Sequence, residues 1–264
     1  MKIPFTKAHG ALNDFLLSWR SDTPEGDRSA MARAICDRHA GIGADGWMLV
    51  DPPVDAQAEG AVQLYNSDGS PAEFSGNGTR CAAAFLIHHG FGSSLVRVAT
   101  GSGIRTLRMK ERAERRYVFE MDMGRPPVTD LHLELPLSHG ARDVTTVWVG
   151  NPQCSMPVDD FDFDWKRLGA EIEAHRHFPN RTNVSFFKAI DEHTIDVRFY
   201  ERGAGPTMSS GTGSTGAAIT AVARGLVTSP VRVTTPAGPI DVRVEEKVYL
   251  TGPAELIGEG EFWM

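Results

Sequence analysis

A segment of about forty residues occurs twice in this chain, and this repeat constrains the fold more than any other feature. Residues 62–103 and 197–238 are identical at 15 of 42 positions when they are aligned with an offset of 135. Roughly one chance match in fifteen would give about three identities for an average composition. Both copies keep a Ser-Gly-x-Gly loop, at Ser75–Gly78 and at Ser210–Gly213. The chain is therefore predicted to contain a duplicated unit.

Each copy has the pattern of a short strand, a turn, a glycine-rich loop and a helix that begins at the loop. The first helix is predicted over residues 76–89 with Gly90 after its end, and the second helix runs to Arg224. Outside the repeat, helices are predicted over residues 29–38, with Ser29 as N-cap, and 165–175. Asn13-Asp14 lies at a strand end, where an Asx-turn is the simpler interpretation.

The length of 264 residues allows two domains of about half that size, each with its own core. The turn-rich segment from Met123 to Pro127 is the best candidate boundary. We therefore predict an α/β (α+β) chain with two pseudo-symmetric domains, residues 1–123 and 124–252. The tail, residues 253–264, could return to the first domain.

The composition excludes several classes of function. The net charge of −7 and the lack of a lysine or arginine cluster argue against a nucleic-acid surface, and Arg115-Arg116 is predicted to be a hairpin tip. No run approaches the ~20 apolar residues that span a bilayer, so no membrane partner is expected. Three cysteines, an odd number without paired ligand spacing, indicate reduced thiols, a cytoplasmic protein and no metal site.

The repeated loop has a chemical use. A glycine-rich loop that opens a helix presents backbone N–H groups at the positive end of the helix dipole, which favours an anion. Two such loops could hold one carboxylate between them. A single Ser-Gly-x-Gly is also explained by an N-cap serine before a flexible turn, and the phosphate-loop pattern is absent.

Several motifs together are similar to those of the diaminopimelate epimerase family. They cover nearly the whole chain: His9-Gly10 with Asn13-Asp14-Phe15, Asp37-Arg38-His39, Gly41–Gly46, Asn66–Gly69, Ser75–Cys81, Gly150-Asn151-Pro152, Asn183, Glu201–Gly205, Gly211–Gly213 and Thr251–Ala254. The resemblance implies two domains, each with a sheet around a central helix, and a ligand in a cleft between them. It also implies epimerisation of an amino acid without any cofactor, and the LL- to meso-diaminopimelate step of lysine biosynthesis.

The resemblance places the family's two proton-transferring cysteines at Ser75 and Ser210. A histidine of the family is replaced by Gln153, so the first serine is expected to have lost its partner, whereas Glu201 remains beside the second. Cys81 and Cys154 match other positions of the motifs. Because a thiol titrates near ~8.5 and an alcohol near ~15.7, forming an alkoxide instead of a thiolate costs about 10 kcal/mol. Serine acts as a base only when a neighbour shares its proton, so Glu201 could help Ser210.

The resemblance also implies a binding shell. The backbone of Gly76-Asn77 and Gly211-Thr212 is expected to hold the α-carboxylate of a small amino-acid or carboxylate substrate. A second set is expected to fix the distal groups: Asn13, Asn66, Asn151, Asn183, Glu201 and Arg202. Arg202 could instead form a surface ion pair, and Asn66 and Asn183 could instead cap turns. Arg80 and Arg97 are interpreted as structural.

Two functions remain open at this point. The first is an isomerase of the diaminopimelate epimerase type, with Ser75, Ser210 and Glu201 as the candidate catalytic residues. The second is a paralogue that keeps the carboxylate-binding cleft but binds another small carboxylate, or acts on it as a lyase or one-base isomerase. A third possibility is that both serines were introduced to trap a ligand. The sequence leaves open whether the chain forms a homodimer.

Overall fold

The computed structural model describes residues 2–53 and 56–264, and its fold is α+β with four α-helices. The described chain forms two compact units. One contains the residues up to Met121 together with Gly252–Met264, and the other contains Asp122–Thr251. None of the described helices is long and apolar enough to cross a bilayer.

The first unit is a mixed sheet around one helix. In chain order its elements are β1 (Lys2–Gly10), β2 (Asn13–Trp19), a 3₁₀ turn (Arg20–Asp22), α1 (Arg28–Cys36), β3 (Gly46–Asp51), β4 (Gly60–Asn66), β5 (Pro71–Ala72), α2 (Gly76–His88), β6 (Leu95–Thr100), β7 (Gly103–Ala113) and β8 (Arg116–Gly124). β2 pairs with β3 in parallel, β3 with β4 antiparallel, and β4 pairs with both β5 and β6.

The second unit repeats this arrangement. Its elements are β9 (Val128–Leu135), β10 (Arg142–Trp148), β11 (Pro152–Pro157), α3 (Trp165–Glu173), β12 (Asn183–Asp191), β13 (Thr194–Glu201), β14 (Gly205–Thr207), α4 (Gly211–Ala223), β15 (Val231–Thr235), β16 (Gly238–Val244) and the start of β17 (Val248–Trp263). The part of β17 from Gly252 onward belongs to the first unit. β11 pairs with β12 in parallel, β12 with β13 antiparallel, and β13 pairs with both β14 and β15. The pairing scheme is thus the same in both units.

Each unit is built around one buried helix. Every residue of α2 from Gly76 to Ile87 is buried, as is every residue of α4 from Gly211 to Ala221. A helix that is buried on all faces needs small and apolar residues all round, and both helices supply them with paired alanines, Ala82-Ala83 and Ala217-Ala218. The predicted sheet around a central helix is confirmed.

The internal repeat is also confirmed in the structure by the helices α2 and α4. α2 and α4 have the same length of 13 residues and begin and end at positions that differ by the sequence offset. Each is followed by an antiparallel pair, β6 with β7 and β15 with β16, whose terminal partners are Thr100 with Gly103 and Thr235 with Gly238.

Some local predictions were wrong at their boundaries. α1 begins at Arg28, because Asp27 rather than Ser29 is its N-cap and accepts a hydrogen bond from Ala30 N at 3.1 Å. It ends at Cys36 instead of residue 38. α3 ends at Glu173 instead of residue 175. Asn13 and Asp14 are not a turn. They are the first two residues of β2. The turn is formed by the two residues before them, Ala11 and Leu12, which have φ angles of 51° and 59°.

Candidate active site

The first Ser-Gly-x-Gly loop is the N-terminus of α2. Ser75 has extended dihedral angles, and its Oγ accepts a hydrogen bond from Gly78 N at 3.1 Å, so the serine is the N-cap. A Cβ on Gly78 would lie 3.1 Å from Met48 Cε and 3.2 Å from Ser75 Cβ. The loop therefore packs tightly against Met48, and a larger residue at position 78 would require these neighbours to shift by a few tenths of an ångström.

The second loop repeats this geometry at the N-terminus of α4. Ser210 Oγ accepts a hydrogen bond from Gly213 N at 3.1 Å, and a Cβ on Gly213 would lie 2.8 Å from the ring of Phe199. The cap engages Gly213, and the amides of Gly211 and Thr212 lie at the same helix end, where the dipole favours an anion. Each loop by itself can therefore hold one carboxylate.

The two serines differ in what accepts their proton. Ser210 Oγ donates a hydrogen bond to Glu201 Oε2 at 2.8 Å, and Thr207 Oγ1 donates one to Glu201 Oε1 at 2.7 Å. The predicted pairing of Ser210 with Glu201 is thus present in the geometry, and Thr207 is a neighbour that the sequence did not reveal. β14 brings Thr207 there, because it pairs with Phe199 of β13 two residues before Glu201. Two hydroxyl donors fix this carboxylate beside the helix end.

The first unit has an amide where the second has this carboxylate. Asn66 stands at the position equivalent to Glu201, and its Nδ2 donates to Ser70 Oγ at 3.0 Å. Within residues 2–53 and 56–264, no carboxylate is hydrogen-bonded to Ser75. The two halves of the duplicated site are therefore chemically unequal.

A hydrogen-bonded chain of side chains supports the first loop. Asn13 Oδ1 accepts from Asn77 Nδ2 at 3.3 Å, and Asn77 Oδ1 accepts from Arg80 Nη2 at 2.7 Å. Arg80 is fully buried, its Nε donates to Pro253 O at 3.0 Å, and burial lowers its pKa to about 10. These contacts agree with the structural role predicted for Arg80. The structure brings the predicted residues Asn13 and Asn77 together.

Charged groups flank Asn13 on its other side. Asn13 Nδ2 donates to Asp45 Oδ2 at 2.7 Å, and Arg38 Nη2 bridges Asp45 and Asp14 at 2.8 and 2.7 Å. Burial by itself would raise the pKa of Asp14. Hydrogen bonds from Arg38 and Lys7 outweigh burial, so the pKa of Asp14 is lowered. Asp45 was not among the predicted site residues, although its Gly-Ala-Asp-Gly motif was one signal for it.

Asn151 and Thr212 also lie together, in the second unit. Asn151 Nδ2 donates to Thr212 Oγ1 at 3.3 Å, while Gln153 Nε2 donates to Asn151 Oδ1 at 2.7 Å and to Thr212 Oγ1 at 3.0 Å. Gln153 is buried, and among the described residues its Oε1 has no hydrogen-bond partner. Gln153 was expected to matter beside the first serine, yet its hydrogen bonds run to the N-terminus of α4.

Asn183 holds two loops in place. Its Nδ2 donates to Pro152 O at 2.9 Å, and its Oδ1 accepts from Arg202 N at 3.1 Å. This is the turn-holding alternative that the sequence left open. Arg202 is exposed, and its Nη1 donates to Asn180 O at 3.3 Å. Its guanidinium remains accessible for a ligand group.

The three thiols do not replace the missing cysteines. Cys36, Cys81 and Cys154 are free and buried, and burial raises the pKa of each thiol to about 12. At neutral pH they stay protonated and unreactive.

Comparisons with known proteins agree with this arrangement of loops and helices. The family model described as diaminopimelate epimerase matches residues 5–129 and 145–257. A diaminopimelate epimerase from Ralstonia nicotianae is 37% identical over 98% of this chain and 96% of its own length. One from Azoarcus sp. is 35% identical over 99% of both chains.

Solved structures share the fold at low sequence identity. A hydroxyproline epimerase from Agrobacterium vitis, with bound trans-4-hydroxy-L-proline, has a TM-score of 0.78 at 15% identity and covers 98% of this chain and 92% of its own. A methylitaconate-delta-isomerase has a TM-score of 0.68 at 15% identity and covers 99% and 95%. With the family model and full-length relatives above 30% identity, the chain belongs to the diaminopimelate epimerase family.

Proposed function

We propose that this chain is a cofactor-independent isomerase that exchanges the α-hydrogen of an amino acid, with diaminopimelate as the first candidate substrate. The observation that carries the proposal is the 2.8 Å hydrogen bond from Ser210 Oγ to Glu201 Oε2 at the N-terminus of α4. Relatives named diaminopimelate epimerase align over nearly the full chain, which supports the choice of substrate and a place in lysine biosynthesis.

The proton transfer needs no free alkoxide. As the Cα–H bond breaks, its proton passes to Ser210 Oγ while the hydroxyl proton of Ser210 passes to Glu201. Reprotonation by Ser210 reverses these two transfers and restores the original configuration. The second stereoisomer forms when Ser75 Oγ instead gives its hydroxyl proton to the opposite face of Cα and takes a proton back from solvent. The base is then in effect the carboxylate, so the cost of about 10 kcal/mol for an isolated alkoxide is avoided. A substrate carboxylate at the end of α4 would be favoured by the helix dipole, which also stabilises charge that develops on it.

The proposed binding roles are those that the family resemblance implies. In each unit the amides at the helix N-terminus, Gly76 and Asn77 in the first and Gly211 and Thr212 in the second, are proposed to bind a substrate carboxylate. The polar side chains that the sequence assigned to the distal groups keep that proposed role: Asn13, Asn66, Asn151, Asn183 and Arg202. The accessible guanidinium of Arg202 is the strongest of them for a second carboxylate, because arginine binds carboxylates bidentately.

A second function is favoured by the unequal serines. With Asn66 in the place of a carboxylate, Ser75 has no comparable proton acceptor among the described residues, and a hydroxyl alone is a poor acid and base. A lyase or one-base isomerase needs only the Ser210–Glu201 pair. This second candidate acts on a small carboxylate with the same loops but without two-sided epimerisation.

Incubation with diaminopimelate in deuterated buffer tests the proposal. We expect α-deuterium and the second stereoisomer to appear, and both to appear faster once Ser75→Cys and Ser210→Cys are introduced. Exchange without a change of configuration would favour the second candidate. The proposal is refuted if the parent incorporates no deuterium while the double variant does. If neither the parent nor the double variant incorporated deuterium, diaminopimelate would be refuted as the substrate.

The proposal also covers the location, the domain organisation and the oligomeric state of the protein. We infer a cytoplasmic location from the three free thiols. The two domains predicted at residues 1–123 and 124–252 remain our proposal for the duplicated organisation. Association into a homodimer stays a prediction that a sedimentation measurement would check.

A further inference from the structure

Glu173 is a buried carboxylate that the proposed reaction does not use, and it is hydrogen-bonded to the turn formed by Glu201–Ala204. Glu173 is the last residue of α3, and only 2% of its side chain is exposed. It forms an ion pair with Arg181 Nη2, and the arginine side chain is 55% exposed. A buried charge costs several kcal/mol unless it is paired and hydrogen-bonded, so this carboxylate needs its partners.

The second partner of Glu173 is the backbone of the turn that carries Glu201. The turn is closed by a hydrogen bond from Ala204 N to Glu201 O at 3.1 Å. Inside it, Gly203 N donates to Glu173 Oε1 at 3.2 Å, and Arg202 N donates to the side chain of Asn183 at 3.1 Å. Both central amides of the turn are therefore held by side chains from outside it.

Helix α3, which carries Glu173, is packed too closely against β13 to shift. A Cβ on Gly169 of α3 would lie 2.7 Å from Tyr200 Cβ, one residue before Glu201. Thr182 N also donates to Glu173 O at 3.3 Å, which fastens the segment of Arg181 to the end of α3. Glu173 thus joins a rigid helix to the amide next to Arg202.

We propose that Glu173 is a positioning residue, which fixes the Glu201–Ala204 turn and thereby aims Glu201 at Ser210 and Arg202 at the substrate. The consequence for catalysis rests on the proposed function. The charge-assisted hydrogen bond to Gly203 N holds the turn more strongly than a neutral acceptor would. A displacement of about 1 Å at a catalytic group can cost up to about a hundredfold in rate.

The experiment uses a thiol as a reporter of where Glu201 lies. In the Ser210→Cys background, the ultraviolet absorbance of the thiolate is titrated between about pH 6 and 10, the range of an ordinary thiol. The three native thiols, with pKa values of about 12, stay silent there. A nearby carboxylate raises a thiol pKa, so Glu173→Ala should lower the titration midpoint by about half a unit or more as Glu201 moves away.

Two further variants distinguish a change in the position of Glu201 from a nonspecific effect of mutating α3. Glu173→Gln keeps an oxygen for Gly203 N and should restore part of the midpoint. Glu171→Gln removes a carboxylate of the same helix that instead accepts from Ser138 N and Oγ, and it should leave the midpoint unchanged. Equal midpoints for Glu173→Ala and Glu171→Gln would overturn the inference.

Deuterium exchange in the serine background then tests the catalytic consequence. Glu173→Ala should lower kcat for α-exchange about tenfold or more, with Glu171→Gln at the parent rate. A shifted midpoint with an unchanged kcat would refute the positioning role in catalysis. A shifted midpoint in a parent without α-exchange would keep the placement of the turn and refute the proposed function.

Discussion

At the scale of single residues, the Ser210–Glu201 pair is the group to which we assign the proposed proton transfer. Its carboxylate is held by two hydroxyls, at 2.8 and 2.7 Å, whereas the equivalent Asn66 bonds to Ser70. The duplication thus kept the shape of both loops but only one carboxylate. A reaction that depends on proton transfer should therefore be sensitive to Glu201.

Glu201→Gln tests this dependence. We expect the rate of α-deuterium incorporation to fall about a hundredfold or more, because the amide cannot accept the proton that general base catalysis requires. Proton NMR of the substrate in deuterated buffer measures the rate. Glu171→Gln in parallel, which removes a carboxylate of α3 that accepts from Ser138, should leave the rate unchanged. Equal losses in the two variants would contradict the assignment of the base.

The turn of Ala11 and Leu12 illustrates strain at single residues. Both have positive φ, and Leu12 is 54% exposed. A side chain in this region costs roughly 1–2 kcal/mol that glycine avoids. Leu12→Gly should therefore raise the free energy of unfolding by about 1 kcal/mol.

Urea denaturation measures this difference as a change in midpoint at constant slope. Leu95→Gly is the matched control, because Leu95 is also exposed but opens a strand, where glycine is destabilising. If Leu12→Gly lost stability as Leu95→Gly does, the turn would not be strained.

Asp14 makes stability depend on pH. The hydrogen bonds of Arg38 and Lys7 lower its folded pKa despite burial. A lowered folded pKa stabilises the protein above the ordinary value of about 4, and this stability is lost as the pH falls through the folded pKa. Asp14→Asn should therefore be less stable at neutral pH and lose less stability on acidification. Urea unfolding between about pH 7 and 3 checks this, with the exposed Glu111→Gln as control. Parallel curves for Asp14→Asn and the parent would contradict it.

At the scale of elements, the two capped helices were the most predictable parts of the fold. Ser75 and Ser210 begin α2 and α4, as a serine before a glycine-rich first turn suggests. The start of α1 was missed because Asp27 and Ser29 are both good caps, two residues apart. The first hairpin was misplaced because Ala11-Leu12 is an unusual turn, while Asn13-Asp14 has the composition of one.

In the site, too, the residues that a local motif contains were predicted, and those placed by tertiary contacts were not. Ser210 and Glu201 were predicted together because the family motif contains both positions, with Ser210 in the place of a cysteine. Thr207 and Glu173 were not, because their contacts depend on the register of β13 with β14 and on the packing of α3. Periodicity and motifs report on local structure, and a contact across 30 residues of sequence leaves no such signal.

The caps themselves can be tested as elements. Ser75→Ala and Ser210→Ala should each lower the free energy of unfolding by about 1 kcal/mol, because the helix loses its first side-chain acceptor. Ser214→Ala offers a contrast within α4. Its buried Oγ has no hydrogen-bond partner among the described residues, so its removal should be neutral or stabilising. Thermal denaturation compares the three variants, and a loss at Ser214 equal to that at Ser210 would rule out a specific capping effect.

At the scale of the whole molecule, the sequence repeat predicted a duplicated fold and the coordinates show the same pairing scheme in two compact units. The repeat was visible because loop and helix residues are constrained twice, once by packing and once by the glycine backbone. Strands β9 and β11 lie outside the repeated segment and could not be placed in the same way.

The pairing of β1 with β17 has a consequence for how the chain assembles on the ribosome. Lys2 pairs with Trp263 and Lys7 with Gly258, so one side of the first strand has its partner at the far end of the sequence. Domains generally fold in the order of their synthesis. Here the residues from Asp122 to Thr251 are synthesised before residues 252–263, the part of β17 that contains the partners of β1, so the earlier unit must wait with an open strand edge. The half that is translated first is therefore expected to finish folding last, and during that interval it is the half in need of a chaperone.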